Sequence, residues 1–384
     1  MPGVHGLLCD VMFMFAVTAA AVLAAQPAPT IDVYTMGSGD ALFHRFGHAA
    51  ICTIYPDNSS QSKCFNYGTT DFGSPPTELG WSFIRGRSPF WVSVWPVARM
   101  IDVYVDDDRS VWRQRIALAP EQARAVATKL EADAARFDGR GPEGSYAYHH
   151  FADNCTTRIR DILDDASGGV LSTESDESLG VSFRELGQQG LADITAVSVL
   201  AHVFVGRAAD REVSEWDAMF LPRALRGSIE ARFAASPELI HERLGPPPVT
   251  GGTSGVGWLW LFALATLAPT ALAFAWRRGL RVALVVTGVM LSIIGAMVWS
   301  LSIVSEMPEL RYNEALLVFW PTDWLIALAN PTRRRTYARV RVGVLLAVAV
   351  GLAVGVVHQP LAVVLLIPLA PMLLIAWRPE GRRG

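Results

Sequence analysis

Between Val256 and Trp377 charge almost disappears from the chain. Five apolar stretches follow one another there: Val256–Trp276, Val282–Ser305, Glu314–Ala329, Val340–Val357 and Leu361–Trp377. A bilayer interior offers the backbone no hydrogen-bond partner, so segments of this composition fold as helices, with about 20 residues to a crossing. Arginines gather at Arg277, Arg278 and Arg281, then at Arg333–Arg335, Arg339 and Arg341, and finally at Arg378, Arg382 and Arg383. These are alternate connections plus the tail, which the positive-inside rule places in the cytoplasm. Everything before Val256 then lies outside, on the strength of an odd number of spans. The third stretch is short and holds Pro321 and Asp323, so it reads as a span, a re-entrant turn or an interfacial segment. Asp323 is either functional there or the cap of a broken helix.

The other end of the chain agrees. Val11 to Ala25 is an apolar run followed by Gln-Pro-Ala-Pro, and Val22-Leu23-Ala24 suits a cleavage site. No Lys or Arg precedes the run, which leaves a short uncleaved anchor as the second reading. Five parts are therefore expected. These are a signal peptide or anchor over 1–25, an exported domain over 26–245, a linker over 246–257, a membrane domain of about five helices over 258–378, and a cytoplasmic tail over 379–384. A net charge of −3 gives no electrostatic basis for binding nucleic acid.

Export bears on the cysteines. Cys52 and Cys64 fall in two strand-like runs, Ala49–Tyr55 and Lys63–Tyr67, separated by the turn Pro56-Asp57-Asn58-Ser59-Ser60. They form either a cross-strand disulfide or two buried thiols. If the pair forms, Cys155 is the odd thiol of the exported domain, Cys9 lying in or before the targeting segment.

Cys155 stands behind Asp153-Asn154 and ahead of Ile159, Ile162 and Leu163 at helical spacing. Asn154 is a good N-cap, which puts the thiol in the first helical turn, where the helix N-terminus favours a thiolate. The competing reading is a small buried residue. His48 opens the strand Ala49-Ala50-Ile51-Cys52, next to Gly47, which lets the backbone pass close to something; a structural histidine is the alternative. His44 and His48 have the spacing of zinc ligands on a helix. The metalloprotease pattern needs Glu where Arg45 stands, so no metal is expected. Asn66 and Asp71 are polar groups in an apolar run and either orient a histidine or satisfy turn backbone. His149 and His150 are adjacent to each other and to the thiol stretch, and are expected to be supporting or surface groups. The window Trp81–Pro96 holds five aromatics with Arg85 and Arg87, suited equally to core and to a surface that meets acyl chains and phosphate. Residues 101–118 read as strands around a solvated acidic turn, Asp106–Asp108. Pro120 opens a helix to Phe137. Residues 178–243 read as mainly helical.

A thiol at a helix start, a histidine at a strand start and a polar residue on the next strand make a Cys–His–polar set in which His precedes Cys. That order is the one a circularly permuted papain-like fold requires. Phe46-Gly47-His48, Phe65-Asn66-Tyr67-Gly68-Thr69 and Asp153-Asn154-Cys155-Thr156-Thr157-Arg158 also resemble the periplasmic domain of the Lnb-type bacterial lipoprotein N-acyltransferases, a group related to permuted NlpC/P60-like thiol enzymes. The resemblance covers roughly residues 30–225, including Arg85-Gly86-Arg87 and Met219-Phe220-Leu221-Pro222. It implies an α+β, circularly permuted papain-like (NlpC/P60-like) domain fused to an all-α multi-span membrane domain. It implies Cys155 as nucleophile and His48 as base, and leaves the third residue between Asn66, which is preferred, Asp71 and Asp153. Arg85, Arg87, Tyr67, Asn154 and Arg158 become candidate substrate-binding residues. No cofactor is implied.

The activity implied is acyl transfer from a membrane glycerophospholipid, through a Cys thioester, to the N-terminal amine of a diacylated lipoprotein. The place implied is a bacterial inner membrane, with the catalytic domain facing the periplasm. The lecithin:retinol acyltransferase group, a related permuted fold with His ahead of an Asn-Cys pair, supports acyl transfer by analogy of fold alone. A membrane-anchored thiol hydrolase acting on the cell wall, an amidase or endopeptidase, is the alternative. A lipoprotein-binding module with an inert Cys155 is a third reading.

Overall fold

The computed structural model describes residues 27–71, 73, 75–192, 194–246 and 255–378. The expected signal segment, most of the linker and the cytoplasmic tail lie outside the described residues. The N-terminal half is a mixed α/β domain built on one sheet. Its strands are β1 (Thr30–Met36), β2 (His48–Ile54), β3 (Lys63–Thr69), β4 (Pro89–Pro96), β5 (Val111–Ile116), β6 (Tyr146–Ala147) and β9 (Glu238–His241). They lie in the order β6-β4-β3-β2-β1-β5-β9, and each neighbouring pair is antiparallel. Two further strands, β7 (Ser178–Ser182) and β8 (Glu212–Ser214), pair on their own.

Strand alternation sorts the sheet into two cores. Ile31, Val33, Ala49, Ile51, Phe65 and Tyr67 face the helices Pro120–Arg136, Cys155–Ser167 and Pro222–Phe233. Tyr34, Met36, Ala50, Cys52 and Cys64 face Met100 and Tyr104 of the helix Val97–Asp106. Cys52 and Cys64 are directly opposed across β2 and β3 and form a disulfide. This leaves Cys155 as the free cysteine among the described residues.

The stretch 97–106 departs from the expected strands. Pro96 starts it, and Met100 and Tyr104 stand four apart on a buried face, which is helical spacing. The acidic run Asp106–Asp108 ends that helix, and Asp108 accepts from the N–H groups of Leu244 and Gly245 at 2.7 and 2.9 Å. The aromatic window splits in two: Pro76–Ile84 is a helix with Trp81 exposed, and β4 buries Phe90 and Val92.

Three C-terminal helices are long and apolar enough to cross a membrane: Val256–Trp276, Leu280–Val304 and Pro331–Ala353. The fifth expected stretch contributes a shorter apolar helix, Leu366–Trp377. The third, Glu314–Ala329, is broken into two single turns, Ala315–Val318 and Leu325–Leu328. Asp323 lies between those turns, wholly buried, and accepts from Arg341 Nε at 2.8 Å and Nη2 at 3.0 Å and from the Tyr337 hydroxyl at 2.8 Å. It thus ties the broken segment to the helix Pro331–Ala353.

The two halves are joined by more than the linker. Val199 and Val203 of the helix Thr195–Phe204 pack into the core of the membrane half. Asn313 Nδ2 donates to the carbonyls of Val203 at 2.9 Å and Phe204 at 3.1 Å, and Gln359 Nε2 donates to that of His202 at 3.1 Å. Arg87 pairs with Glu306, just beyond the end of the helix Leu280–Val304.

Candidate active site

The helix Cys155–Ser167 starts where its cap dictates. The Asn154 side chain accepts from the backbone N–H of Thr156 at 2.8 Å and Thr157 at 2.9 Å, and the Thr157 hydroxyl accepts from Asn154 N–H at 2.8 Å. Asn154 Nδ2 is also spent, donating to the carbonyls of His150 and Phe220 at 2.6 and 3.0 Å. Asn154 is therefore the residue that fixes the thiol's position, and its amide is not turned to a substrate.

Cys155 is 7% exposed. Burial pushes its thiol above the ordinary range, against the pull of the Thr156 hydroxyl, the N–H of Ala49, the Arg109 charge and its own N–H. The expected thiolate is thus corrected: desolvation outweighs the helix N-terminus, and the resting group is a neutral thiol. Gly68 makes room for it. Its φ is +82°, and a Cβ there would stand 3.3 Å from Tyr148 and 3.5 Å from the Cys155 Cβ.

His48 begins β2. Gly47 before it has φ +86°, and a Cβ would meet the Met36 carbonyl at 2.5 Å, so the close backbone approach read from the sequence is real. The His48 ring stacks on Tyr104, centroids 5.7 Å apart. Its Nε2 is enclosed and has no hydrogen-bond partner. Burial lowers its pKa to about 3; Arg109 and His44 push the same way and Asn66 opposes them. Asn66 is 3% exposed. It lies close enough to favour a protonated imidazole, although neither atom of its amide is in hydrogen-bond geometry.

Alternation puts His48 and Asn66 on the sheet face that carries Cys52, Cys64 and Tyr104. The thiol helix packs on the opposite face. Ala49 links the two elements: its N–H, one residue from His48, reaches the sulfur. Catalytic hydrogen bonds of this kind often close only around a substrate.

The remaining candidates lie elsewhere. Asp153 is bound by Arg158 in a two-point pair at 2.6 and 2.8 Å, and the Arg158 guanidinium lies 3.7 Å over Tyr146. The Tyr67 hydroxyl donates to the buried Asp133 at 2.7 Å. Asp71 is exposed and accepts from Gly73 N–H. The Arg85 carbonyl and the Arg87 side chain both engage Glu306. His149 Nε2 lies 3.3 Å from Glu309, and His150 packs between Phe83 and Tyr148 with its pKa lowered to about 4, mainly by burial. Among the described residues neither imidazole hydrogen-bonds to Cys155.

Sequence reasoning missed Tyr104, Tyr148 and Arg109. The four-residue spacing of Met100 and Tyr104 was the available signal for the first. Nothing local marked the other two. A cleft of about 1190 Å³ opens between the halves, lined by Phe151, Trp216, Arg207, Glu309, Arg311 and Glu314 among others. Cys155 and His48 do not line it.

The family model described as the Lnb N-terminal periplasmic domain matches residues 24–189, from β1 through the thiol helix to the helix Phe183–Gly190. No curated protein and no solved structure matches the chain. With this domain and three apolar helices behind it, the chain is a membrane protein with a periplasmic domain. Over those residues, less than half of the chain, it is similar to the Lnb N-terminal periplasmic domain.

Proposed function

We propose that this protein is a lipoprotein N-acyltransferase of the bacterial inner membrane that works through a Cys155 thioester. The observation that carries the reading is the free thiol at a capped helix start, enclosed at the mouth of the sheet strands that hold His48 and Asn66. The order of His strand and Cys helix, on an antiparallel sheet, is consistent with a permuted papain-like arrangement.

In the first half-reaction the Cys155 proton passes to His48 and the sulfur attacks an ester carbonyl of a glycerophospholipid. The N–H groups of Ala49 and Cys155, which already reach the sulfur, are suited to hold the oxyanion. The ester C–O bond breaks, and His48 returns the proton to the leaving alkoxide. In the second half-reaction the amine of a diacylated lipoprotein attacks the thioester, His48 takes its proton, and the thiolate leaves. His48 is suited to this because its imidazole stays neutral at physiological pH. Asn66 steadies the imidazolium in both steps.

Two features favour a lipid over a wall substrate. The site is closed to bulk water, so that an amine can compete as acceptor. The domain is also fastened to the outer ends of the membrane helices at Glu306, Glu309 and Asn313. Mass spectrometry of lipoprotein N-termini tests the reading, in cells lacking their own N-acyltransferase and expressing this chain or Cys155→Ala. N-acylation that requires Cys155 is expected. Absence of N-acylation with the wild-type chain rejects the transferase, and N-acylation by Cys155→Ala rejects the nucleophile.

A further inference from the structure

Arg109 is a buried cation with no anion bound to it. The residue is 2% exposed. Its Nε donates to the Gly37 carbonyl at 2.9 Å, its guanidinium lies 4.9 Å over the Tyr104 ring, and its Nη2 is enclosed without a partner. Buried guanidinium groups are ordinarily paired, because desolvating an uncompensated charge is costly. The charge of Asp107 acts on Arg109, but that carboxylate is half-exposed and sits 3.8 Å from His44. Among the described residues no carboxylate hydrogen-bonds to Arg109.

The surroundings indicate which anion the site is built for. Tyr104 carries Arg109 on one side and His48 on the other. The Arg109 charge acts on Cys155, His48, His44 and Tyr104. From other elements, Cys155 is faced by Tyr104, Tyr146 and Tyr148, all neutral at physiological pH because burial pushes their hydroxyls up. The nearby charges Asp153 and Arg158 neutralise each other. Arg109 is thus a charge that no carboxylate hydrogen-bonds and that acts on both the thiol and its base.

We propose that Arg109 is a positioning residue of the thiol site, the counter-charge that holds the Cys155 thiolate. This rests on the reading of Cys155 as nucleophile. The same charge disfavours a lasting His48 imidazolium. When the Cys155 proton moves to His48, Arg109 steadies the sulfur anion and sharpens the acidity of the imidazolium. The proton is then driven on to the leaving alkoxide.

The test is the pH profile of Cys155 alkylation by iodoacetamide, followed on the Cys155 peptide by mass spectrometry, with the full chain in detergent. Arg109→Gln is expected to move the midpoint upward by about one pH unit, roughly a tenfold loss of thiolate at a given pH. Arg109→Lys, which keeps a charge, is expected to fall between that and wild type. An unchanged midpoint in a folded Arg109→Gln protein overturns the proposal and leaves Arg109 as a brace for the Gly37 turn. A second variant covers the case in which Arg109→Gln does not fold. Arg109→Met removes the charge and leaves an apolar side chain over Tyr104, and it is expected to move the alkylation midpoint upward by about the same one pH unit. An unchanged midpoint in Arg109→Met overturns the proposal. None of these readouts measures acyl transfer, so they stand or fall separately from the lipoprotein assay.

Discussion

The neutral state of His48 has a consequence that can be measured without any substrate. Its pKa falls from 6.5 in an unfolded chain to about 3 in the folded one, mainly through burial. The unfolded state therefore takes up a proton below pH 6.5 that the folded state refuses, and stability falls as the solution is acidified. The contribution is fully present above pH 6.5 and is lost progressively toward pH 3. Between pH 7 and 4.5 the loss covers about two pH units, or roughly 2.7 kcal/mol at 1.36 kcal/mol per unit. For a domain of this size that is roughly 5–10 °C in the thermal midpoint. Other groups titrate over the same range, so the informative quantity is a double difference. The midpoint shift from pH 7 to 4.5 is measured for the full chain in detergent, for wild type and for His48→Gln. The variant cannot take up that proton and is expected to show a shift smaller by roughly 5–10 °C. Equal shifts in the two proteins mean that His48 takes up its proton as readily in the fold as in the unfolded chain, which refutes the lowering of its pKa by burial.

Three further outcomes follow from the same geometry. Gly47→Ala forces a side chain onto φ +86° and against the Met36 carbonyl, and is expected to cost about 2 kcal/mol or more in a denaturation midpoint; a neutral effect contradicts the close approach. Replacing Cys52 and Cys64 by Ala opens a loop with a sequence separation of 12 and is expected to cost roughly 3 kcal/mol, seen as a lower thermal midpoint of the periplasmic domain with Cys155 alkylation still confined to one site. Arg341→Met strands Asp323 in the membrane half and is expected to cost roughly 3–5 kcal/mol, most of it recovered by adding Asp323→Asn; a failure of the second change to rescue the first argues that the pair does more than hold the broken segment.

How much of this was legible in the sequence follows the range of the forces. The helix start at Cys155 was readable because a cap acts over three residues. The β2–β3 hairpin was readable because the turn Pro56–Ser60 and the two cysteines lie close together. The helix Val97–Asp106 was misread, since three consecutive acids suggested a solvated turn and masked the Met100–Tyr104 repeat. The membrane half was readable as composition but not as geometry. Glu314–Ala329 has the apolar content of a span, yet Pro321 breaks it, and the buried Asp323 is held by Arg341 from another helix. That arginine counted in the sequence as a cytoplasmic charge.

The ionisation of Cys155 shows the same limit in a single group. A helix N-terminus favours a thiolate by a local field. What opposes it is burial, by groups that include Gly68 on β3, far along the chain. A neutral thiol with a neutral imidazole as its base is a poor nucleophile at rest, and on the proposed acyl-transfer reading this suits an enzyme whose two substrates arrive in turn from a membrane. An enclosed thiol of this kind is sheltered from water and oxidants until an ester carbonyl enters. The oxyanion formed then meets the Ala49 and Cys155 N–H groups, and the proton has His48 to go to. In the proposed mechanism reactivity is thereby made conditional on the lipid, which a permanent thiolate at the same helix start would not achieve.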